Sequence, residues 1–316
     1  MITRRQFFVG GLAGLGSLLM TGKGKSLFAQ QSVQEKKVKG TVLVLLGTMG
    51  GSRVVKGRAQ ASQILVVNDQ LYVVDCGYGV ARQLVLAGYD LRKLKCIFIT
   101  HHHDDHNLDF GNLVHLALMS GLKEKVNAYG PYPLKKMSHN FTEMFDYTSH
   151  QSVLGITPLA KVWDIHEVQL EGPVMEDENV KVSCVRVIHP PVPTFAFRFD
   201  AKDRSITISG DTAYCPELID LAKGSDVLVH EVTYKPALEK LGQRLPQYKN
   251  LVKFLLASHT TVEDVGKVAQ LAEVKTLVLT HFVPGDDPTI TDEIWLEGAS
   301  KFFKGKVIVG KDFMTI

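Results

Sequence analysis

The strongest constraint on this chain is a cluster of histidines and aspartates directly behind a short apolar segment. Residues Cys96–Ile99 are apolar, β-branched and aromatic, so this pattern predicts a buried strand. The residues that follow it at once include His101, His103, Asp105 and His106. Imidazole nitrogens and carboxylate oxygens are ligands for zinc, manganese and iron, and a catalytic site leaves one position for water. A strand that ends in this cluster therefore predicts a metal centre rather than a solvated polar loop.

The order of these four residues resembles a known signature. The pattern His-x-His-x-Asp-His is similar to that of the metallo-β-lactamase fold, in which the first two histidines serve one metal and the Asp-His pair serves a second. The resemblance implies an α/β fold built as a four-layer αβ/βα sandwich, which we expect over residues 40–316. Residues 131–174 are less regular, with a helix predicted at Leu134–Phe145, so we expect a mostly helical insert there, either a lid over the site or an ordinary packing element.

The amino-terminal sequence predicts an export signal rather than part of the folded domain. Thr3–Phe8 resembles a twin-arginine export signal, and the weakly apolar stretch Phe7–Met20 is shorter than the roughly 20 residues that span a bilayer. A small-residue end at Ala29 completes the pattern of a cleaved peptide, with an uncleaved anchor as the alternative. We therefore expect a signal peptide over 1–29, a flexible lead-in over 30–39 and a periplasmic or secreted protein that uses the twin-arginine export machinery.

The positive net charge of the chain comes from basic residues in this predicted signal. Residues 1–29 carry four basic and no acidic side chains, so the formal charge of +3 becomes −1 for residues 30–316. A phosphate backbone is normally bound by an excess of lysine and arginine. This balance predicts that the protein has no nucleic-acid partner.

Further predicted strands also end on a histidine or an aspartate. In open α/β sheets, ligands bind at the carboxyl ends of the strands, so side chains at these ends are expected to converge. The residues at or just after the ends of four such strands are Asp75, His189, Asp211 and His281. The repeated placement is the strongest support for the metal centre outside the first motif.

The resemblance assigns a role to each of these residues. It implies one divalent ion held by His101, His103 and His189, a second held by Asp105, His106 and His281, and Asp211 as the bridge between them. Zinc is the expected metal, although manganese and iron suit the same ligands. Two such ions lower the pKa of bound water, and the expected nucleophile is that hydroxide. Asp75 would orient a ligand histidine or, alternatively, cap the helix predicted at Val80–Ala87.

Two more segments resemble motifs shared by ribonuclease Z and the arylsulfatase-type members of the fold. These segments are Val229–Thr233 and Ser258–Thr261. The resemblance implies that His259 is the general acid and that Glu231 orients it, with Asp105 counted as catalytic as well as a ligand. The alternative is that Ser258–Thr261 only caps a predicted helix.

The choice between these two branches depends on short segments. Those similar to the arylsulfatase-type branch are Gly47–Arg53, Val74–Gly77, Gly111–Leu113, Tyr129–Pro131, Asp177–Val180 and Ala257–Thr261. The Gly-Pro-rich arm with which ribonuclease Z grips tRNA has no counterpart. Lys56 and Arg58 occupy the place of a basic phosphate loop, and they are either an anion site or plain surface charges.

These resemblances predict an exported metal-dependent hydrolase of aryl sulfate esters, with a small anionic ester as substrate and a possible homodimer as the assembly. The same pair of metals suits a phosphodiester or a lactone, so a phosphodiesterase of ribonuclease Z-like chemistry and a lactonase stay as alternatives. A metal-binding or sensor protein without turnover is the alternative from another class. The presence of both His259 and Glu231 argues against it, because a binding module needs no leaving-group acid.

Overall fold

Two β-sheets with helices on their outer faces make up the part of the chain that this computed structural model describes, residues 38–148 and 157–316. The predicted signal peptide and most of the predicted lead-in lie outside these residues. Within them, no helix combines the length and the apolar character that a membrane crossing requires.

The first sheet has six strands that follow one another in chain order. They are β1 (Thr41–Gly47), β2 (Ser62–Val67), β3 (Gln70–Val74), β4 (Leu94–Phe98), β5 (Val126–Gly130) and β6 (Trp163–Glu167). Strands β1 to β3 pair antiparallel, and β3 to β6 pair parallel. Asn68 and Asp69 adopt left-handed conformations in the turn between β2 and β3, as a tight hairpin requires.

The second sheet has seven strands, in the order β13-β12-β11-β10-β9-β8-β7. They are β7 (Gly172–Glu176), β8 (Val180–Val187), β9 (Thr194–Ala201), β10 (Ser205–Ile208), β11 (Val227–Thr233), β12 (Thr276–Val283) and β13 (Lys306–Val309). Strands β7 to β10 pair antiparallel and β10 to β13 pair parallel. Each sheet therefore combines a hairpin half with a parallel half.

Nine helices occur in the described residues. They are α1 (Val80–Leu86), α2 (Asp104–Asn107), α3 (Phe110–Met119), α4 (Leu134–Thr148), α5 (Pro216–Ala222), α6 (Lys235–Arg244), α7 (Lys249–Ser258), α8 (Val262–Leu271) and α9 (Asp292–Ser300). Short 3-10 turns lie at Leu91–Lys93, Leu159–Lys161 and Pro246–Tyr248.

Three apolar layers hold these elements together. The inner faces of the two sheets meet in one core, in which Phe98 packs edge-on against Phe197 and Phe199. Buried residues of α1 and α3 cover the outer face of the first sheet, and those of α5, α8 and α9 cover that of the second. This arrangement confirms the predicted four-layer αβ/βα sandwich.

The segment 131–174 contributes to both sheets. It contains the predicted helix, which extends from Leu134 to Thr148, but also β6 and part of β7, which form one edge of each sheet. These edge strands alternate between more and less buried residues, so their apolar signal is weak. The expected helical insert thus includes strand structure that the sequence pattern did not reveal.

Candidate metal centre

The loops and strand ends at one edge of the two sheets bring the predicted ligands together. His101 and His103 follow β4, Asp105 and His106 lie on α2, and His189 follows β8. Asp211 follows β10, and His281 lies near the end of β12. All seven belong to clusters whose potential ligand atoms lie within 4.8 Å of one another. Four separate strands, β4, β8, β10 and β12, are needed to assemble them, so no local segment makes the site alone.

His101, His103 and His189 form the first cluster together with Asp211. The Nδ1 atom of His103 lies 3.0 Å from His101 Nε2 and 3.1 Å from His189 Nε2. Asp211 Oδ2 lies 3.8 Å from His101 Nε2 and 3.7 Å from His189 Nε2. Three imidazoles and one carboxylate oxygen thus face a common point.

Asp105, His106 and His281 form the second cluster, which also contacts Asp211. The Oδ2 atom of Asp105 lies 3.3 Å from His281 Nε2 and 3.6 Å from His106 Nε2. Asp211 Oδ1 lies 3.4 Å from His106 Nε2, and Asp211 Oδ2 lies 3.3 Å from His281 Nε2. Asp211 is therefore positioned between the two clusters, where its two oxygens face different sets of histidines.

Several buried atoms in this centre lack ordinary hydrogen bonds, and two of them belong to the ligands that face each other across it. His106 Nε2 and Asp211 Oδ1 are shielded from solvent, and neither has a hydrogen-bond partner in the described part of the chain. Leaving such atoms unpaired costs about 1–3 kcal/mol each, and more when the group is charged. A divalent cation among these nitrogens and oxygens would satisfy them, so the residues present fit the metal ions that the fold implies.

The protonation states of three free histidines agree with this fit. Burial, followed by the influence of neighbouring imidazoles, lowers the pKa of His101 well below its usual value. Burial is also the main reason why the pKa values of His103 and His189 are lowered. Burial opposes charge on His106 as well, but Asp211, Asp105 and Asp75 outweigh it and raise the pKa of His106. Three imidazoles are consequently neutral, which is the form that binds a metal.

Asp75 lies behind the ligands and not at a helix end. Its Oδ2 lies 2.8 Å from His106 Nδ1, and its carboxylate also accepts hydrogen bonds from the backbone and hydroxyl of Thr100. The helix α1 has Gly79 at its N-cap, with no side-chain capping bond. The contacts therefore favour the orienting role over the capping alternative, since a carboxylate on Nδ1 directs Nε2 toward the metal position.

A β-bulge directs His281 into the site. Glu231 pairs with Thr280 and Val232 pairs with Phe282, so His281 is the extra residue between two regular pairs. It adopts a left-handed φ of 46°. A bulge of this kind turns a side chain away from its regular direction in the strand. Nothing in the apolar pattern of β12 distinguishes this residue, so sequence reasoning found the histidine but not the bulge.

Backbone groups that the sequence analysis missed also position the ligands. Ser258 O lies 2.8 Å from His189 Nδ1, and the backbone N–H of Gly51 donates to Asp105 Oδ2. Gly50 lies so close to His281 that an added Cβ would be 2.8 Å from the ring nitrogen Nδ1. Of these contacts, only those of Gly50 and Gly51 left a signal in the sequence, because adjacent glycines indicate a turn whose backbone can approach other groups closely.

His259 forms a third cluster of potential ligands with Asp211 and His281, and Glu231 lies beside it. His259 Nδ1 lies 3.0 Å from Glu231 Oε1 and 4.0 Å from Asp211 Oδ2. Burial opposes charge on His259, but the Glu231 carboxylate raises its pKa to about 9. The segment also caps a helix, as the alternative predicted, but it does so through Thr261 and not through His259. The Thr261 side chain accepts a hydrogen bond from the backbone N–H of Asp264 at the start of α8. The imidazole of His259 takes no part in this cap and contacts Glu231 instead.

Other polar residues near the site have structural contacts. His102 Nε2 lies 2.8 Å from the Pro131 carbonyl, in keeping with its omission from the ligand set. The Arg58 guanidinium donates to Thr48 Oγ1 and stacks over Phe282. Arg58 is therefore engaged within the fold, whereas Lys56 is exposed.

The chain was compared with known proteins. A family model described as a beta-lactamase superfamily domain matches residues 71–282. Ribonuclease Z of Mycobacterium bovis is 29% identical over 290 residues, covering 87% of this chain and 97% of the relative. Ribonuclease Z of Mycobacterium marinum is 30% identical over 288 residues, with the same coverage.

Two solved structures share the fold. Human tRNase Z, short form, superposes with a TM-score of 0.65 at 23% identity and covers 87% of this chain and 98% of its own. The metallo-β-lactamase fold protein YhfI of Bacillus subtilis gives 0.64 at 20% identity, with the same coverage. At these identities the likeness concerns the fold.

These relatives correct one prediction from the sequence. The expectation of a small anionic ester substrate and no nucleic-acid partner is wrong, because the relatives that match nearly their whole length are named ribonuclease Z. The prediction rested on the expected export, on the absence of a Gly-Pro-rich arm and on the net charge of residues 30–316. A net charge averages over the whole surface, whereas binding of phosphates depends on where the basic side chains lie.

Proposed function

Because this chain belongs to the beta-lactamase superfamily and has ribonuclease Z among its homologues, we propose that it is a metal-dependent phosphodiesterase that cleaves RNA. The observation that carries the assignment as a hydrolase is the His259–Glu231 pair, in which His259 Nδ1 lies 4.0 Å from the aspartate that faces both clusters. A protein that only stores or senses metal has no need of a proton donor at this position.

The residues that would hold the cations follow from the two clusters. His101, His103 and His189 would hold one ion, Asp105, His106 and His281 the other, and Asp211 would contact both. Five histidines and two aspartates suit zinc, which we propose as the metal. When bound, two such ions supply a nucleophile at neutral pH and neutralise charge on the phosphate oxygens.

The protein residues supply position and a proton. Water attacks phosphorus, the bond from phosphorus to the leaving ribose oxygen breaks, and that oxygen requires a proton. His259 has one nitrogen, Nδ1, engaged by Glu231, so its Nε2–H is the group that can donate. In the absence of metal, the Glu231 carboxylate raises the pKa of His259 to about 9, which favours a protonated imidazole at neutral pH. Thr212 holds Glu231 in place, since its backbone N–H donates to Glu231 Oε1 at 2.9 Å.

The homologues support a phosphodiesterase over the predicted arylsulfatase. Both reactions can use the same cations and the same proton donor, so the residues of the centre do not distinguish them. The ribonuclease Z relative from Mycobacterium bovis matches 87% of this chain and 97% of its own length, so the similarity is not limited to the metal centre.

Hydrolysis of two p-nitrophenyl esters tests this proposal. The zinc-loaded protein is incubated with bis-p-nitrophenyl phosphate and, in parallel, with p-nitrophenyl sulfate, and metal content is measured on the same sample. We expect turnover of the phosphodiester with two ions per chain. Turnover of the sulfate alone, or of neither ester with two ions bound, would contradict the proposal.

A further inference from the structure

A helical hairpin leads directly into the metal centre. It consists of α6, the 3-10 turn Pro246–Tyr248 and α7, and His259 follows its last residue. Ser258, the end of α7, offers its carbonyl to His189 Nδ1. The two helices pack on each other through a small apolar cluster that includes Leu238 and Val252. A molecule bound along α7 would thus end next to His259.

The hairpin is strongly basic. Residues 235–258 contain five lysine or arginine residues and one glutamate, a net charge of +4, whereas residues 30–316 together carry −1. Lys235 pairs with Glu239, and Lys240 interacts with Asp287. Lys249 and Lys253 form no ion pair with any residue that the structure describes.

These two lysines border a shallow surface cavity of about 580 Å³, together with Asn250 and Leu256. Unpaired cations around a concave surface favour an anionic ligand.

Large exposed apolar side chains form a second row along the hairpin, beside the row of these two lysines. Tyr248 is 42%, Leu251 45% and Phe254 39% exposed. Residues three and four apart share a helix face, so Leu251 and Phe254 lie on the same face as Ser258. Ser258 Oγ also donates to the Phe254 carbonyl. This face therefore continues from the hairpin turn to the metal centre, over about 15 Å at 1.5 Å per residue.

We propose that this hairpin binds the single-stranded part of an RNA substrate, with bases stacked on Tyr248 and Phe254 and phosphates contacted by Lys249 and Lys253. Alternating basic and aromatic side chains are typical of surfaces that bind single-stranded nucleic acid. Charge favours this occupant over a second copy of the chain, because two hairpins of net charge +4 would repel each other. The proposal rests on the proposed function, since it assigns the binding element for that activity.

A pair of charge-reversal variants tests the proposal. The variant K249E/K253E is compared with K123E/K202E, which makes the same charge change at exposed lysines near the opposite ends of the strands. Binding of a fluorescent single-stranded RNA to the zinc-loaded full chain is followed by anisotropy at several salt concentrations. We expect the hairpin variant to bind at least tenfold more weakly and its salt slope to fall by about 1.4, for two lost phosphate contacts. The control variant should bind like the wild type.

The aromatic contacts are tested by F254A. Loss of one stacked base should weaken RNA binding by about tenfold, while exposed Phe302→Ala, which lies outside the hairpin, should leave it unchanged. Equal affinities of the hairpin variant and the control variant for RNA would overturn the assignment. A wild-type dimer in size-exclusion chromatography that the hairpin variant no longer forms would overturn it as well. These binding measurements do not depend on turnover. Absence of phosphodiester hydrolysis would therefore reject the proposed function, whereas the role of the hairpin would be decided by RNA binding alone.

Discussion

At the scale of single residues, the metal centre contains two non-glycine residues in left-handed conformations. Asp75 has a φ of 62° and His281 a φ of 46°. Such conformations cost about 1–3 kcal/mol each and persist only where the surroundings hold them. Hydrogen bonds from Thr100 hold Asp75, and the bulge in β12 holds His281. Both strained residues point into the same site, which is where stored strain is usually found.

The space around His281 leads to a prediction for Gly50. In G50A the new Cβ would lie 2.8 Å from His281 Nδ1 and 2.7 Å from Val283 Cγ2, so the imidazole must move. We expect a loss of about 1–3 kcal/mol in the free energy of unfolding and a lower kcat for the phosphodiester. Gly57→Ala is the control, because nothing lies within 4 Å of its Cβ position. A G50A protein as active and as stable as G57A would show that the close approach is unimportant.

The role of His259 predicts a dependence on the leaving group. An RNA linkage leaves as a ribose oxygen that needs a proton, whereas p-nitrophenolate is a stable anion that does not. In H259A, cleavage of RNA should fall by about 10²–10⁴-fold, and cleavage of bis-p-nitrophenyl phosphate should fall much less. Rates for both substrates are measured with the variant and the wild type. Equal losses for the two substrates would argue that His259 positions the substrate instead of donating a proton.

At the scale of elements, Asp226 joins the starts of two strands of the second sheet. It accepts hydrogen bonds from the backbone and hydroxyl of Ser205 and pairs with Lys275, contacts that lower its pKa to about 2. An unfolded aspartate has a pKa of about 3.9. The stabilisation is therefore present above pH 4 and is lost as pH falls toward 2.

This linkage predicts the behaviour of D226N. At pH 7 the variant should be less stable than the wild type by about 1 kcal/mol, because the carboxylate is partly exposed to solvent. The difference should shrink at pH 3, as measured by urea unfolding at both pH values. Exposed Asp220→Asn on α5 serves as the control. A difference that is the same at both pH values would mean that the charge of Asp226 does not stabilise the junction.

Which elements could be predicted from the sequence depends on their burial. Central strands such as β4 and β11 are almost wholly buried, so their apolar runs and their terminal polar residues are visible in the sequence. Edge strands β6 and β7 alternate weakly and were missed. The hairpin of α6 and α7 was missed as well, because both helices have few buried residues and α6 has a polar composition.

The metal centre was more predictable than the surface around it. Each ligand follows a recognisable strand, so convergence at one sheet edge followed from the topology of α/β proteins. The bulge at His281, the carbonyl of Ser258 and the close approach of Gly50 depend on distant backbone segments, which no local pattern records. The concentration of positive charge on the hairpin was likewise not visible in the net charge of residues 30–316, which is close to zero.

At the scale of the whole molecule, the metal ions should stabilise the sandwich. The centre joins strand ends from both sheets, and its buried aspartates have histidines as their ion-pair partners in the described residues. Each ion at 100 times its Kd contributes about 2.7 kcal/mol. Removing one with a chelator should lower Tm by about 5 to 10 °C, as measured by calorimetry, and added zinc should restore it. A Tm that does not respond to the chelator would mean that no ion bridges these strands.

The most direct test of the central claim is cleavage of RNA by the zinc-loaded protein and by its D211N variant, with p-nitrophenyl sulfate hydrolysis followed in parallel. Asp211 faces both clusters, so its replacement should remove one ligand from each ion. The account predicts multiple turnovers of an RNA with a single-stranded end by the wild type and little or none by D211N. Intact RNA together with turnover of the sulfate ester would contradict it.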